Sequence, residues 1–329
     1  MERATLILNP RAGSARKFTT LASSLIEELA RHGIAGEAME TKGPATAGRL
    51  SAAAVASGAD AVFACGGDGT VHETLQGVAG THAALGVIPV GTANALARNL
   101  GLPLDPVAAL RLQIAGTTTR IAVGEVNFGL RTAVASGDEG AMLARGRERR
   151  YFAVMAGAGP DGALVYSLLD GRKSALGRNS YYVHAAKLFL TQRFPRFRIA
   201  YRLPGAESWQ EDFAVSAMSA RIGDLGGVFG RLTPGSSLQS NTLRLSYLRP
   251  PGRISLPSWF ISGQLGIHGH NPWLRTLDVD EFRCEPVGAA RMHAQVDGAW
   301  ICRGSISARL IPDALSLLIP KLPSPSFGR

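Results

Sequence analysis

Lysine is nearly missing from this 329-residue chain. It stands only at positions 17, 42, 173, 187 and 321, so almost all of the positive charge behind a formal net charge of +10 is arginine. A basic surface favours polyanions (nucleotides, nucleic acid or anionic membrane), and arginine forks onto phosphate better than lysine does. A genome rich in arginine codons gives the same bias, so charge alone does not choose. Cysteine is scarcer still. Cys65, Cys284 and Cys302 form no close pair and show no metal-ligand spacing, which argues against a disulfide framework or a thiolate metal site and for reduced thiols. No apolar run approaches the roughly 20 residues of a membrane-spanning helix. Met1-Glu2-Arg3-Ala4 runs straight into a strand-like segment, so no targeting peptide is expected. No internal repeat is visible. What is present is a globular composition, 46% hydrophobic and 18% charged, long enough for two domains with separate cores.

The first third alternates short apolar runs with helical patterns. Ala4–Leu8, Ile34–Met39, Ala61–Cys65 and Leu85–Ile88 read as strands. Phe18, Leu21, Ala22, Leu25, Ile26 and Leu29 recur at helical spacing before Gly33, and helices are expected over Ala45–Ser57, Val71–Val78, Ala93–Leu100 and Pro106–Ala115. Such alternation implies βαβ units and a parallel sheet, whose strand-to-helix loops open onto one edge where ligands bind. After about Gly124 short β-like runs dominate: Phe152–Ala156, Arg198–Arg202, Phe213–Met218, Leu243–Leu248, Arg291–Val296 and Ile306–Leu310, with one helical stretch over Tyr181–Thr191. The fold expected is therefore an α/β domain with a parallel sheet over residues 1–124, then a β-rich antiparallel sandwich or barrel over 125–320, then a tail over 321–329. The arginine-rich stretch Arg131–Arg150 reads as a mobile loop.

Three segments carry chemistry. Cys65-Gly66-Gly67-Asp68-Gly69-Thr70-Val71-His72-Glu73 follows a buried strand and opens a helix. Without Cβ atoms such a loop can turn its N–H groups toward one point and admit phosphate, and the helix N-terminus adds partial positive charge. Asp68 can hold a magnesium ion beside the phosphates, and Thr70 can cap the helix or bond a phosphate oxygen. No Lys-Ser/Thr pair follows, which excludes a Walker loop. Ile88-Pro89-Val90-Gly91-Thr92-Ala93-Asn94 also links a strand to a helix, with Arg98 one turn in. Leu8-Asn9-Pro10-Arg11-Ala12-Gly13-Ser14 and Thr41 fall on the same edge. Taken singly, each has a plain reading as a glycine turn or a helix cap. His268-Gly269-His270 lacks acidic or cysteine partners at ligand spacing and is expected to be a turn.

Asn-Pro-x-x-Gly, Gly-Gly-Asp-Gly-Thr and Pro-x-Gly-Thr-x-Asn-x-x-Ala-Arg, in that order and spacing, resemble the diacylglycerol kinase catalytic-domain family, which includes bacterial lipid kinases and the sphingosine and ceramide kinases. Gly-Gly-Asp-Gly alone is shared with NAD kinases and phosphofructokinases; the Pro-x-Gly-Thr-x-Asn segment separates the lipid kinases from them. A weaker likeness continues through Ala156-Gly157-Ala158-Gly159-Pro160-Asp161 and Gly266-Ile267-His268 to Val296-Asp297-Gly298. The resemblance implies an NAD kinase/diacylglycerol kinase-like fold that binds ATP with Mg2+ and phosphorylates a lipid hydroxyl. It assigns nucleotide contacts to Asn9, Pro10, Arg11, Ala12, Gly13, Thr41, Gly66, Gly67, Asp68, Gly69, Thr70, Val71, His72 and Thr92, and Asn94 adds hydrogen bonds at the helix start beside them. Asp68 is expected to organise the metal and phosphates, and Asp297 to orient or deprotonate the hydroxyl. The partners implied are a lipid acceptor at a membrane surface and anionic phospholipid, touched by Arg145–Arg150; a homodimer is compatible with this, nucleic acid is not expected, and the location expected is the cytoplasm with transient membrane contact.

Two positions depart from the family pattern. Ala299 stands where the bacterial members carry a Glu taken as the proton acceptor. Ser240-Asn241 stands where they carry an Asp-Gly that holds a structural magnesium ion, so that site is not predicted from this sequence. The rival readings are an NAD kinase-like enzyme with a soluble acceptor and a nucleotide- or lipid-sensing protein that has lost turnover.

Overall fold

In the computed structural model, residues 1–12, 15–129, 147–170, 194–225 and 232–321 are described. The chain divides into two compact units, Met1–Val123 with Ile311–Arg329, and Gly124–Leu310.

The first unit is built on the parallel strands β1 (Arg3–Leu8), β2 (Ala35–Glu40), β3 (Ala61–Gly66) and β4 (Ala84–Pro89), ordered β2-β1-β3-β4. β3 and β4 are buried along their whole length, as continuous apolar runs covered on both faces must be. β2, at the edge, is mostly exposed and carries Glu37 and Glu40. The crossovers are α1 (Ala15–Arg31), α2 (Ala47–Ala56) and α3 (Asp68–Val78), followed by α4 (Ala95–Asn99) and α5 (Pro106–Ile114). α2 and α3 meet at small residues: a Cβ on Gly77 would overlap Ser51 Oγ and the Gly48 carbonyl. α1 and α5 are clamped by charge. Arg111 donates to both oxygens of the buried Glu28, at 2.8 and 3.0 Å, and Arg31 adds a third bond at 3.0 Å. The Arg111 hydrogen bonds hold the Glu28 carboxyl down to about 2.

The second unit contains two antiparallel arrays. One runs β12 (Leu274–Val279), β11 (Leu243–Leu248), β10 (Ser216–Ala220), β7 (Met155–Ala158), β14 (His293–Val296), β15 (Ala299–Arg303). The other pairs β9 (Gln210–Ala214) with β8 (Phe197–Arg202), β8 with β13 (Glu281–Pro286), and β13 with the first residues of β16 (Ile306–Ile319). Phe152, Phe197, Ile199, Leu245, Tyr247 and Phe282 are among the side chains of one shared core. Further along β16, Ser316 and Leu317 lie parallel to Ala84 and Leu85 of β4, so this one strand serves both units.

Several expectations need correction. The reading that places Arg131–Arg150 in a loop fails at its end, where β6 (Arg147–Phe152) pairs with β5 (Thr117–Gly129); residues 130–146, with Arg145, and the expected helix Tyr181–Thr191 lie outside the described residues. The strand of Arg149 and Arg150 is compatible with their charge because each has a carboxylate partner, Glu125 and Glu148. α6 (Pro160–Asp170) and α7 (Gly252–Leu265) are helices in stretches read as β-rich or irregular.

At the segment of Ser240 and Asn241 the structure supplies its own cation. The Arg221 side chain is 1% exposed. Its guanidinium donates to the carbonyls of Leu238 at 2.9 Å, Ser240 at 3.0 Å and Thr242 at 2.9 Å. Burial pushes its pKa down to about 10, which leaves it charged at neutral pH. A metal ion does not fit a carbonyl cage already filled by a positive group, and no cluster of three His, Cys, Asp or Glu side chains occurs among the described residues.

Two outcomes are expected. Arg221→Met should cost on the order of 3–5 kcal/mol in urea denaturation, because three buried carbonyls lose a charged donor, while chelation of divalent metal should leave the wild-type midpoint unmoved. Separately, a group whose folded pKa is depressed stabilises above its unfolded pKa and loses that contribution as pH falls. Stability should therefore drop as pH falls from 4.5 toward about 2, and Glu28→Gln should flatten that limb of the stability–pH curve.

Candidate nucleotide site

Parallel strands bring their carboxyl ends to one edge, and the loops that leave β1, β2, β3 and β4 there enclose a cavity of about 380 Å³. Asn9, at the end of β1, donates from Nδ2 to Thr70 Oγ1 at 3.0 Å and accepts from the Arg11 N–H at 3.1 Å. Thr41 follows β2, its N–H bonded to the Leu8 carbonyl at 2.8 Å. The glycine loop follows β3. α3 begins earlier than the periodicity indicates, at Asp68, with Gly67 as its N-cap and no side-chain cap. The first-turn N–H groups of α3 therefore lack a capping side chain at the point where the cavity meets Gly67 and Gly69.

The loop after β4 is locked onto the glycine loop. Asn94 adopts a left-handed backbone, φ 48°, and its side chain returns to both the N–H and the carbonyl of Gly91, at 3.0 and 2.9 Å. Asp68 Oδ1 accepts the N–H of Ala95 at 2.6 Å, so it caps α4 from the neighbouring loop. Asp68 thus keeps one oxygen for this bond and has the other available. A single half-buried carboxylate oxygen suits Mg2+, which retains several waters and takes one or two carboxylates alongside phosphates. Gly91 and Gly67 meet backbone to backbone, and a Cβ on Gly91 would overlap the Gly67 Cα.

Of the residues expected at the site, Asn9, Arg11, Thr41, Gly67, Gly69 and Thr70 line the cavity. Asp68 and Asn94 brace its wall. Gly66 is buried under Thr70, where a Cβ would overlap the Thr70 side chain. Val71 and His72 are 6% exposed and lie within α3 rather than at the cavity. Pro10 and Ala12 belong to a short 3₁₀ turn, Thr92 is exposed beside Gly91, and Gly13 lies outside the described residues. Thr70 does not cap α3; its hydroxyl receives Asn9 instead.

Glu73 was not anticipated. It lines the cavity, and both its oxygens are bound, to the N–H groups of Ala45 at 2.8 Å and Ala47 at 3.0 Å. It caps α2 from α3, and its negative charge is matched to that helix N-terminus. Its position one turn after Gly69 was the available signal, since residues at i and i+4 share a helix face.

In the second unit two of the three weaker segments meet. β7 pairs with β14, and Gln295 donates to the buried Asp161 at 3.1 Å. A Cβ on Gly157 would overlap that carboxylate, whose pKa is raised to about 6 by burial. Asp297, expected to act on an acceptor hydroxyl, is 8% exposed, with φ 47°. Its carboxylate accepts N–H bonds from Ala153 at 3.2 Å, Val154 at 3.0 Å and Met155 at 2.8 Å. That geometry makes it the anchor of the turn into β7. Ala299, two residues on, begins β15 and offers no polar atom beyond its backbone.

A family model described as the diacylglycerol kinase catalytic domain matches residues 3–126. The chain is similar to the diacylglycerol kinase of Mycobacterium tuberculosis (strain ATCC 25618 / H37Rv), 28% identical over 327 residues that cover 97% of this chain and 96% of the relative. It is similar to that of Bacillus subtilis (strain 168), 29% identical over 255 residues, 76% and 74% of the two chains. With the diacylglycerol kinase of Staphylococcus saprophyticus it shares 29% identity over 202 residues, 61% of this chain and 59% of that one. A crystal structure of a diacylglycerol kinase from Bacillus anthracis str. Sterne superposes with a TM-score of 0.71 at 21% identity, covering 97% of this chain and 98% of that one, which shows a common fold.

The two glycines at the cavity should separate packing from binding. Gly91→Ala should destabilise by about 1–3 kcal/mol through overlap with the Gly67 backbone, and lower nucleotide affinity with it. Gly69 has open space where a Cβ would stand, so Gly69→Ala should melt like wild type yet bind ATP at least tenfold more weakly. Thermal denaturation and calorimetry with ATP check both.

Proposed function

With residues 3–126 belonging to the diacylglycerol kinase catalytic-domain family, we propose that the chain is an ATP-dependent lipid kinase that moves the γ-phosphate to the hydroxyl of diacylglycerol or a similar long-chain alcohol. The observation that carries this reading is the cavity at the carboxyl edge of the parallel sheet, walled by the interlocked Gly67 and Gly91 loops and bordered by the start of α3. Backbone N–H groups there can face phosphate oxygens, and the helix terminus favours negative charge. Arg11, at the cavity, adds a cation, and Asn9 with Thr41 adds polar contacts. Glu73 brings no unmatched charge against the phosphates, because both its oxygens are bound.

Asp68 is the residue that would hold Mg2+, through the oxygen not bonded to Ala95; when bound, the metal neutralises charge developing on the phosphates. Catalysis then rests on position and charge neutralisation. The acceptor oxygen attacks the γ-phosphorus in line, the bond to the β-phosphate oxygen breaks, ADP leaves, and the hydroxyl proton passes to solvent or a nearby base. Asp297 does not serve as that base in this reading, since its carboxylate already holds three N–H groups. A loose transition state releases the proton late, so the missing carboxylate at 299 slows the reaction without abolishing it. General base catalysis contributes about 10²–10⁴-fold. Ala299 also motivates a second reading, a nucleotide or lipid sensor without turnover.

Incubation with radiolabelled ATP and a whole lipid extract should give a phosphorylated lipid, identified by mass, and no product from NAD. Asp68→Asn should keep nucleotide affinity within a few-fold and lower turnover at least 100-fold, because it removes charge organisation from the transition state. Ala299→Glu should raise turnover. ATP binding with no lipid product would replace the kinase with the sensor.

A further inference from the structure

The helix α7 (Gly252–Leu265) buries one face and leaves the other apolar. Leu256 and Trp259 are sealed into the second unit, and the Trp259 indole donates to the Leu232 carbonyl at 3.0 Å. On the opposite side Ile254, Ile261 and Leu265 are 56, 60 and 65% exposed, and Pro257 is exposed among them. Steps of three, four and four residues put these four on a single stripe. Ile267, just beyond the left-handed Gly266 that ends the helix, prolongs it. Four of the eight large hydrophobic residues exposed among the described residues fall in these fourteen positions, 254 to 267.

We propose that this stripe of α7 is a docking surface for an anionic lipid bilayer, lying flat in its interface. The charge around the stripe fits that partner. Residues 249–277 contain no Asp or Glu, whereas Arg253 and the exposed Arg275 fall within them and Arg249 is paired with Asp212. A helix with an apolar stripe and basic surroundings enters the boundary between headgroups and acyl chains. A second copy of the chain fits less well. A stripe one side chain wide covers on the order of a few hundred Å², well short of the roughly 800 Å² per partner of a stable interface. The surface rests on the lipid-kinase reading for its purpose, because an acceptor dissolved in a bilayer must be met at the bilayer.

The test is vesicle binding without nucleotide, so it does not depend on turnover. The full chain should co-float with vesicles of equal parts phosphatidylglycerol and phosphatidylcholine, and bind pure phosphatidylcholine several-fold less. Ile261→Glu with Leu265→Glu should weaken binding to the mixed vesicles at least tenfold while the melting temperature and ATP affinity stay at wild-type values. If that pair lowers the melting temperature, Ile261→Ser with Leu265→Ser takes its place, with the same direction expected. Equal binding by wild type and variant, or no binding by wild type, overturns the docking surface and leaves the kinase reading to its own assay. A wild-type dimer that the substitutions dissociate, with vesicle binding unchanged, assigns the stripe to a second copy and also overturns it. Vesicle binding lost in the variant, with no phosphorylated lipid from either protein, would keep the surface and reject the kinase.

Discussion

The closeness of two backbones governs the first unit. Gly67 and Gly91 approach until no side chain fits at Gly91, and Asp68 fixes that approach by capping α4 across the gap. Asn94 then folds its own loop around Gly91. Each loop is thus braced by the other. The order of the strands makes this possible: β3 and β4 are neighbours in register from Ala61 and Ala84 to Gly66 and Pro89, so both loops leave the sheet at the same height. For the proposed phosphate ligand, a wall already held in place would spare the reorganisation that a floppy glycine loop would require.

Several arginines, the residue that dominates the charge balance, are occupied with contacts inside the protein. Arg221 fills a cage of carbonyls, Arg111 ties α5 to α1 through Glu28, and Arg149 and Arg309 converge on the buried Glu125. Arg249 binds Asp212. Exposed pairs of this kind contribute little stability each, but Glu28 and Glu125 are buried acceptors that could not stand unpaired. The guanidinium suits these places because it presents several donors in one plane, and the Arg221 site uses its fork on three carbonyls at once. Net charge by itself therefore says little about a polyanion partner.

The parallel unit and its loops were legible in the sequence. The apolar runs of β1, β3 and β4, with asparagine or glycine at or just beyond their ends and then a helical period, leave few alternatives to strands opening onto one edge. What escaped is interaction at a distance. Asp297 reads as a free carboxylate beside a glycine, and nothing local reveals that Ala153, Val154 and Met155 lie against it. Glu73 reads as a surface residue of α3 until α2 is placed beside it. α7 was hidden by Pro257, which removes an N–H from the helix interior and argues locally for a break; packing of Leu256 and Trp259 overrides that local penalty. β5 was not among the strands expected: the domain boundary placed at Gly124, where the composition changes, falls inside a strand that runs from Thr117 to Gly129. A strand that passes from one unit to the next carries the pattern of both.

β16 reaches β4 only at residues 316 and 317, and the Gly80 N–H waits for the carbonyl of Ala314. As the ribosome delivers the chain from its amino end, the parallel sheet can assemble through β4 long before this strand exists. Until then β4 stands as an open edge with unpaired backbone groups, available to any other extended segment. The whole of Gly124–Leu310 must be synthesised during that interval. The nascent sheet thus stays unfinished while all of Gly124–Leu310 is made, and the strand that pairs with β4 emerges only after it.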